Sequence, residues 1–471
     1  MNMSAGILRI DGDKVVDGNG KTVILRGAGL GGWMNMENFI TGYPGHEHQH
    51  RAAMLKVLGQ EKYDFFFDKF LEYFFRDADA KFYASLGLNC IRLPLNYRHF
   101  EDDMNPKVLK TSGFKHLDRV IDICAKNNIY TILDLHALPG GQNPDWHSDS
   151  GSNWSAFWDY KDFQDRTVWL WEELAKHYKG NAWVAGYNLI NEPCDPEHVR
   201  LPKFYDRLEA AIRDIDPDHI LWLDGNTFAI EWKGFERVLP NTAYSLHDYS
   251  LMGFPTGEPF KGTPEQKEKL ERQFLRKAEF QRERGAAIWN GEFGPVYEDP
   301  AINPDADKTN EERYALLGAQ LSIYDKYQIP WSIWLYKDIG FQGMVYCDPK
   351  SKYMQTVGQF VAKKRKLNLD AWGRYKNEEL DKVLGPLVQW IDRNAPEATK
   401  TYPTTWDTER HVHRMVIEAF MASSFSMEFA KLFEGMGHEE LEACAKSFAF
   451  ENCLQRQGLN KIMSDHSKAR S

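Results

Sequence analysis

The stretch AGYNLINEP, residues 185–193, places a short apolar run directly before a polar triplet that carries a carboxylate. The segment IWNGEFG, residues 288–294, repeats this arrangement later in the chain. Short apolar runs bounded by polar residues are typical of buried strands. Parallel strands in a closed barrel present functional residues at their carboxyl ends. We therefore expect Glu192 and Glu292 to lie at the same end of the sheet.

Six further apolar runs extend this pattern, and helical periodicity separates most of them. The predicted strands cover residues 23–30, 89–95, 130–135, 185–190, 220–223, 244–246, 286–289 and 331–335. Alternation of strands and helices favours a parallel α/β sheet. Eight repeats favour a closed (β/α)8 TIM barrel, with a doubly wound open sheet as the competing arrangement.

Strand signals stop after about residue 346, and helical repeats of apolar residues follow within 380–391, 412–420 and 441–448. We therefore predict a barrel domain over residues 1–366 and a helical extension over 367–471 that packs on the barrel. Within the barrel, the spacing of Thr309 and Glu312 predicts a capping box at the start of a helix.

The composition of the chain argues against some classes of binding partner. The chain has 471 residues and a net charge of −10, which argues against nucleic acid and anionic membranes as partners. Its longest apolar runs are too short for an integral membrane segment. Residues 1–10 lack the pattern of a secretory signal, and the six cysteines lack close CxxC spacing. A cytoplasmic location is the expectation, and the oligomeric state is left open.

Two cofactor-like motifs are discounted. Residues 27–32 fit G-x-G-x-x-G, but a dinucleotide site needs a helix to begin there, and residues 33–45 lack a helical pattern. His46, His48 and His50 alternate in a Pro-Gly loop, and we interpret them as solvated rather than as metal ligands. The sequence therefore predicts an activity without a metal or other cofactor.

Polar and aromatic residues gather at the ends of the predicted strands. They are Arg92, His136, Asn191, Glu192, His247, Tyr249, Glu292 and Trp334. Glycoside cleavage commonly uses two carboxylic acids, one donating a proton to the leaving oxygen and the other attacking the anomeric carbon or activating water. Glu192 and Glu292 could supply such a pair.

The set of motifs resembles glycoside hydrolase family 5, of clan A, in composition and order. It comprises Asn-Cys-Ile-Arg-Leu-Pro at 89–94, Asp-Leu-His at 134–136, Asn-Glu-Pro at 191–193, His-Asp-Tyr at 247–249, Gly-Glu-Phe at 291–293 and Trp334. This resemblance implies a TIM barrel and a retaining mechanism, with Glu192 as acid/base and Glu292 as nucleophile.

Two stretches are similar to the fungal exo-β-1,3-glucanases and related β-glucosidases of that family. They are Leu-Gly-Gly-Trp-Met-Asn-Met-Glu at 30–37 and His-Ala-Leu-Pro-Gly-Gly-Gln-Asn at 136–143. The resemblance implies that Glu37 holds hydroxyls of the terminal sugar, and it adds Asn143 to the expected substrate-binding residues. A long insert over residues 34–75 could close one end of the groove, which favours exo action.

Individual roles follow from the resemblance and from electrostatics. We expect the Glu292 charge to raise the pKa of Glu192, and Arg92 and Tyr249 to keep Glu292 ionised. The remaining residues are expected to bind substrate, with Asn191 on the sugar 2-hydroxyl, His136 and His247 on hydroxyls and carboxylates, and Trp334 beneath the first subsite.

The sequence thus predicts a retaining, exo-acting β-glycosidase of the β-glucosidase or exo-β-glucanase type, with a β-linked oligosaccharide or glycoside as substrate. Alternatives are an endo-β-1,4-glucanase or mannanase, a β-xylosidase, and a β-glucosidase acting on glucosylceramide or sterol glucoside. A carbohydrate-binding barrel without catalytic activity is the alternative outside enzymes.

Overall fold

Eight parallel strands close into a barrel within the residues described by the computed structural model, which are 6–300, 302–370, 372 and 375–468. They are Arg26–Gly29, Cys90–Asn96, Tyr130–Ala137, Val184–Asn188, Leu221–Asp224, Thr242–His247, Ala287–Glu292 and Trp331–Ile333. The last strand pairs with the first and completes the ring. The predicted TIM barrel is confirmed.

Helices surround the barrel. Those that follow the barrel strands or precede the next one are Asp77–Ser85, Gly113–Lys126, Lys161–Tyr178, Arg200–Arg213, Pro264–Lys277, Glu279–Arg284, Ala306–Tyr327 and Lys352–Lys366. The predicted capping box at Thr309 is wrong, because its helix already begins at Ala306. The Thr309 amide donates to the Asp305 carbonyl and therefore needs no side-chain cap.

The interior of the barrel is filled at its amino-terminal end. Trp222 and Trp289 point inward from two strands and meet edge to face at 5.0 Å. A hairpin of Arg9–Asp11 and Lys14–Val16 adds further apolar side chains to the same cluster. Burying a large apolar side chain stabilises the fold by about 1.5–3 kcal/mol. This packing closes the amino-terminal end and leaves the carboxyl ends of the strands for a site.

The insert over residues 34–75 is helical and largely buried. Its helices are Asn38–Thr41, Glu47–Leu58 and Gln60–Phe74. The interpretation of the histidines as solvated is wrong for His46 and His50, which are buried. His46 lies 2.8 Å from a guanidinium nitrogen of Arg414, and His50 stacks on Tyr43 at 4.5 Å. Contacts with distant residues bury them, which the local Pro-Gly pattern does not show.

The carboxyl-terminal extension packs against both the insert and the barrel. Its described helical segments of five or more residues are Glu378–Asn394, the 3-10 helix Pro396–Lys400, Thr408–His413, the π-helix Arg414–Met421, Ser426–Ala430, His438–Lys446 and Gln457–Lys468. His438–Lys446 contacts Gln60–Phe74, and Gln457–Lys468 contacts Ala306–Tyr327. The Ser467 carbonyl accepts a hydrogen bond from Arg26 in the first barrel strand, over 3.2 Å. The predicted domain boundary after residue 366 stays a prediction.

A short sheet joins the extension to the barrel. Cys453–Gln455 pairs antiparallel with Val345–Cys347, which pairs with Lys337–Asp338. The strand Cys453–Gln455 was not predicted, because it carries only two apolar residues and forms through its pairing with Val345–Cys347. Among the described residues, no helix has both the length and the apolar character needed to cross a membrane.

Lys337 connects three parts of the fold. Its ammonium group is fully buried and lies 2.6 Å from the carboxylate of Asp79 on the helix Asp77–Ser85. The same group donates to the carbonyls of Phe74 in the insert and Phe448 in the extension, each over 2.7 Å. One cation therefore links the barrel, the insert and the extension.

Candidate active site

A cleft of about 780 Å³ lies over the carboxyl ends of the barrel strands. Residues from the barrel, the insert and the extension line it, including Glu37, His136, His147, Glu192, His247, Tyr249, Glu292, Trp334, Trp372 and Trp406. Arg92, Asn143 and Asn191 are fully buried beneath it. The structure therefore places the predicted site residues in one region, in two layers.

Glu292 is the last residue of its strand and accepts hydrogen bonds on both carboxylate oxygens. Arg92 donates to Oε1 of Glu292, and the Tyr249 hydroxyl donates to Oε2 over 2.9 Å. Arg92 is held by Asn188, at 2.8 Å, and by Asp134, at 3.1 Å. A buried cation and a phenol thus contact this carboxylate, as the sequence predicted for Arg92 and Tyr249.

Glu192 lies on the turn after the fourth barrel strand and adopts a left-handed backbone conformation, with a φ of 47°. Its amide donates to Asp224 over 3.0 Å, and its carbonyl accepts from the side-chain amide of Asn143 over 3.0 Å. Few non-glycine residues adopt a positive φ, and those that do cluster at functional sites. These two hydrogen bonds hold the backbone in that conformation and aim the carboxylate into the cleft.

Two histidines contact the carboxylate of Glu192. Nδ1 of His247 lies 2.6 Å from Oε1, and Nε2 of His147 lies 3.0 Å from Oε2. Asn143 Nδ2 lies 2.8 Å from Nε2 of His147. Asn143 was predicted to bind substrate, but its buried amide instead contacts His147 and the Glu192 backbone. It therefore holds His147 and the Glu192 backbone in place, and its part in substrate binding stays a prediction.

The two glutamates face each other across a short gap. A carboxylate oxygen of Glu192 and one of Glu292 lie within 4.8 Å, together with a ring nitrogen of His247. Paired carboxyl groups about 5 Å apart fit a retaining glycosidase, whereas an inverting enzyme needs room for a water molecule between them. Three such groups could also bind a metal ion. Arg92 and Tyr249 already hydrogen-bond to Glu292, and His247 hydrogen-bonds to Glu192. The arrangement therefore favours proton transfer over metal binding.

Burial raises the pKa of both glutamates. It raises the pKa of Glu192 well above its usual range, and the Asp224 charge raises that pKa further, although Arg92 opposes both effects. Burial also raises the pKa of Glu292, to about 7, with Arg92 lowering it and the Glu192 charge raising it. A raised pKa favours the protonated form of Glu192, as a proton donor requires, and Arg92 favours the ionised form of Glu292, as a nucleophile requires.

The main causes differ from those predicted. Glu292 was expected to raise the pKa of Glu192, but burial and Asp224 are the larger causes. Burial also lowers the pKa of His136 and His247 well below the usual histidine value. Both imidazoles are consequently neutral at neutral pH, and they act as hydrogen-bonding groups rather than as cations.

Trp334 and His136 form one wall of the cleft. Their rings stack at 5.3 Å with an angle of 8° between the planes. Nε2 of His136 lies 3.2 Å from the Asn191 amide, whose carbonyl oxygen accepts from Arg92 over 2.6 Å. A Cβ atom at Gly29 would lie 2.6 Å from the Trp334 ring. The glycines of the rejected dinucleotide motif thus include one that makes room for this ring.

Glu37 closes the cleft from the side of the insert. It accepts a hydrogen bond from the Trp146 indole over 3.0 Å and lies 3.8 Å from Nε2 of His136. Burial raises the pKa of Glu37 to about 8, with the Glu292 charge contributing. The Trp372 ring lies 6.2 Å from that of Trp146, so two indoles continue the wall beside Glu37.

Comparison with known proteins agrees with this geometry. Residues 68–340 match the family described as Cellulase (glycosyl hydrolase family 5). The chain belongs to glycoside hydrolase family 5. This family 5 enzyme is also 56% identical over 467 residues to "Beta-xylosidase" from Phanerodontia chrysosporium, and the match covers 98% of each chain. The predicted family and the predicted glycoside hydrolase activity are both confirmed.

More distant relatives share parts of the family 5 enzyme. It is 29% identical to "Probable glucan 1,3-beta-glucosidase A" from Emericella nidulans, over 48% of this chain and 57% of that one. Among solved structures, endogalactoceramidase aligns with a TM-score of 0.53 at 19% identity, covering 71% of this chain and 75% of that one. This last likeness shows the fold alone.

Several residues of the site were missed in the sequence. Asp224 directly follows the predicted strand 220–223, so the strand-end rule could have found it. His147 lies four residues beyond the quoted motif 136–143. Trp372 and Trp406 come from the extension, where the local sequence carries no signal of a cleft. Tertiary packing alone brings these two indoles to the family 5 site.

Proposed function

We propose that this family 5 enzyme is a retaining, exo-acting β-glycosidase that releases a terminal β-xylosyl unit from small β-glycosides. The observation that carries the proposal is the pair Glu192 and Glu292, with carboxylate oxygens within 4.8 Å at the base of one cleft. A β-glucosyl unit is the second candidate. The similarity to the glucan 1,3-beta-glucosidase and the motif ending at Glu37 favour it.

The proposed reaction has two displacements. In the first, a carboxylate oxygen of Glu292 attacks the anomeric carbon, the bond from that carbon to the leaving oxygen breaks, and Glu192 donates its proton to that oxygen. In the second, a water oxygen attacks the anomeric carbon, the bond to Glu292 breaks, and Glu192 takes a proton from the water. Each displacement inverts the anomeric carbon, so the two together retain its configuration.

Exo action is supported by the wall at one end of the cleft. Glu37 and Trp146 hydrogen-bond across that end, and Trp372 packs beside them. Trp372 is itself fixed, because its indole donates to Gln342 over 2.8 Å. A polysaccharide passing through the cleft would have to displace these groups. We therefore propose that a single terminal sugar occupies the space between the wall and the glutamates.

The choice of xylose rests on the relative that is 56% identical along nearly its whole length. A xylosyl unit lacks the hydroxymethyl group that a glucosyl unit carries on its ring. The two candidates therefore differ in how much space they need beside the ring, and a direct comparison of kcat/KM separates them.

The test uses a panel of nitrophenyl β-glycosides, with xyloside, glucoside, galactoside and mannoside. The highest kcat/KM is expected for the xyloside, and proton NMR should show the β-anomer as the first product. Glu292→Ala is expected to lose at least about 1,000-fold in kcat. Glu192→Ala is expected to lose far more on alkyl than on activated aryl glycosides, because only poor leaving groups need the proton.

The matched control is Glu268→Gln, since this glutamate is exposed and lies outside the cleft. Its kinetics should equal those of the wild type. An α-anomer as first product would refute the retaining mechanism. Mixed oligosaccharides at the earliest time points, with xylo-oligosaccharides as substrate, would refute exo action.

A further inference from the structure

The extension reaches into the cleft next to the acid/base. Aromatic rings form a series from Trp334 through His136, His147 and Phe228 to Trp406, with centroid separations of 5.3, 5.6, 6.4 and 5.7 Å. His147 in the middle of this series contacts Glu192. The series therefore begins at the wall of the sugar site, passes the proton donor and ends in the extension.

The direction of the series identifies what lies at its end. An acid/base must contact the leaving oxygen, so the leaving group occupies the space beyond Glu192 as seen from the sugar. Phe228 and Trp406 stand on that side, and their rings stack with an angle of 17° between the planes. Both side chains are half-buried and line the cleft, so their ring surfaces remain open to a ligand.

Phe228 is held in an unusual backbone conformation. Thr227, Phe228 and Ala229 have consecutive φ values of 53°, 60° and 59°. Non-glycine residues rarely adopt this left-handed conformation, and a β-branched residue such as threonine adopts it least readily. Such strain persists only where surrounding contacts impose it, and it clusters at ligand-binding sites.

The extension supplies a contact that holds this strained turn. The Tyr402 hydroxyl and the Thr227 hydroxyl lie 2.8 Å apart. Thr227 also donates to Glu231 over 2.6 Å. The segment around Tyr402 and Trp406 therefore both buttresses the turn and places an indole beside its phenylalanine.

Trp406 is fixed by a second group of contacts. The Arg410 guanidinium lies over its ring, 4.3 Å from the centroid. The same guanidinium contacts both carboxylate oxygens of Asp145 at 3.0 Å. Asp145 is in the loop that carries His147, the residue that contacts Glu192. Arg410 therefore holds both the Trp406 indole and this loop. Arg410 is thus a positioning residue for both.

We infer that Trp406 and Phe228 form a leaving-group subsite, built jointly by the extension and the barrel, for a leaving group with a flat apolar face. The inference rests on the proposed function. An aromatic aglycone and the C–H face of a second pyranose both have such a surface, and both stack on aromatic rings. Leu251, with 77% of its surface exposed, extends the apolar surface at the rim.

The test compares three β-xylosides on Trp406→Ala and Phe228→Ala: the fluoride, the 4-methylumbelliferyl glycoside and xylobiose. Fluoride is too small to reach the subsite. Loss of stacking is expected to lower kcat/KM by about 10-fold for a substrate whose leaving group occupies the subsite, and by less than about twofold for the fluoride. Trp406→Phe keeps a flat ring and should restore most of the loss.

The control is Trp390→Ala, because Trp390 belongs to the extension, is 56% exposed and lies outside the cleft. Its three kcat/KM values should match the wild type. A loss on the umbelliferyl substrate alone identifies an aromatic aglycone, and a loss on xylobiose alone identifies a second sugar. Both results support the subsite.

Two outcomes overturn the inference while leaving the proposed function intact. One is an equal loss on all three substrates, which indicates a structural role for Trp406. The other is unchanged kcat/KM on both large substrates. By contrast, a wild-type enzyme that cleaves none of the three β-xylosides, and none of their β-glucoside equivalents, refutes the proposed function itself.

Discussion

At the scale of single residues, Asp224 acts through a neighbour. It accepts the amide of Glu192, and its charge raises the pKa of that glutamate after burial has done so. Asp224 is itself fully buried, and burial raises its pKa to about 6, so it is ionised at neutral pH. A buried carboxylate therefore helps to keep Glu192 protonated.

The pH profile of kcat/KM should report this arrangement. The proposed mechanism needs ionised Glu292 and protonated Glu192, so we expect the acid limb near the Glu292 pKa of about 7 and an alkaline limb set by the raised pKa of Glu192. Asp224→Asn removes a negative charge, which eases ionisation of Glu192. We expect the alkaline limb to move to lower pH by about one unit.

The control for this profile is Asp102→Asn, because Asp102 is exposed. Its two limbs should coincide with those of the wild type. An alkaline limb that stays in place in Asp224→Asn, with activity retained, would contradict the assigned role of the Asp224 charge.

The proximity of Glu192 and Glu292 could be predicted from the sequence because a carboxylate follows an apolar strand at each of these positions. His147 and Trp406 could not be predicted in the same way. They reach the cleft through a loop and through the extension, and loop and extension geometry depend on contacts between residues far apart in the chain. The causes of the Glu192 pKa shift were missed for the same reason, since burial is a property of the folded chain.

At the scale of elements, the contacts that Lys337 makes between the barrel, the insert and the extension can be tested by mutation. Lys337→Met leaves the buried carboxylate of Asp79 and two main-chain carbonyls without their cation. Breaking a buried ion pair by removing one partner costs about 3–5 kcal/mol. We expect a loss of this size in the free energy of unfolding, measured by urea titration. Adding Asp79→Asn should recover part of it.

The control pair lies on the same helix. Lys81 and Asp77 form an exposed ion pair, with side chains 69% and 54% accessible. Lys81→Met should change the free energy of unfolding by less than about 1 kcal/mol. If Lys337→Met were no more destabilising than Lys81→Met, the buried lysine would not be a structural link.

Elements were predictable where the sequence carries a clear apolar run or a helical repeat of apolar residues. The eight strands and the helix Glu378–Asn394 follow from apolar patterns. The strand Cys453–Gln455 and the start of the helix at Ala306 do not, because a short strand is defined by its partner and a helix start by its backbone hydrogen bonds.

At the scale of the whole molecule, the extension is joined to the barrel by packing, by a shared sheet and by the cleft. Truncation after Asp370 removes the helix that covers Gln60–Phe74 and the strand that pairs with Val345–Cys347. It also removes Trp406 and Arg410. We expect the shortened chain to be insoluble or inactive, measured by its soluble yield and by β-glycoside hydrolysis.

Co-expression of residues 371–471 as a separate chain is the matching control, because it restores the same contacts without the covalent link. It should recover some soluble, active enzyme. A soluble and fully active chain ending at Asp370 would contradict this prediction and would support the predicted boundary between barrel and extension.

The hydrogen bond between Arg26 and the Ser467 carbonyl has a consequence for biosynthesis. Its two residues are 441 positions apart, yet it sits where the first and last barrel strands meet. A ribosome must therefore deliver nearly the entire polypeptide before that junction acquires all of its contacts. The ring of strands cannot close before Trp331–Ile333 has been synthesised, and until then the growing chain lacks the partner of its first strand.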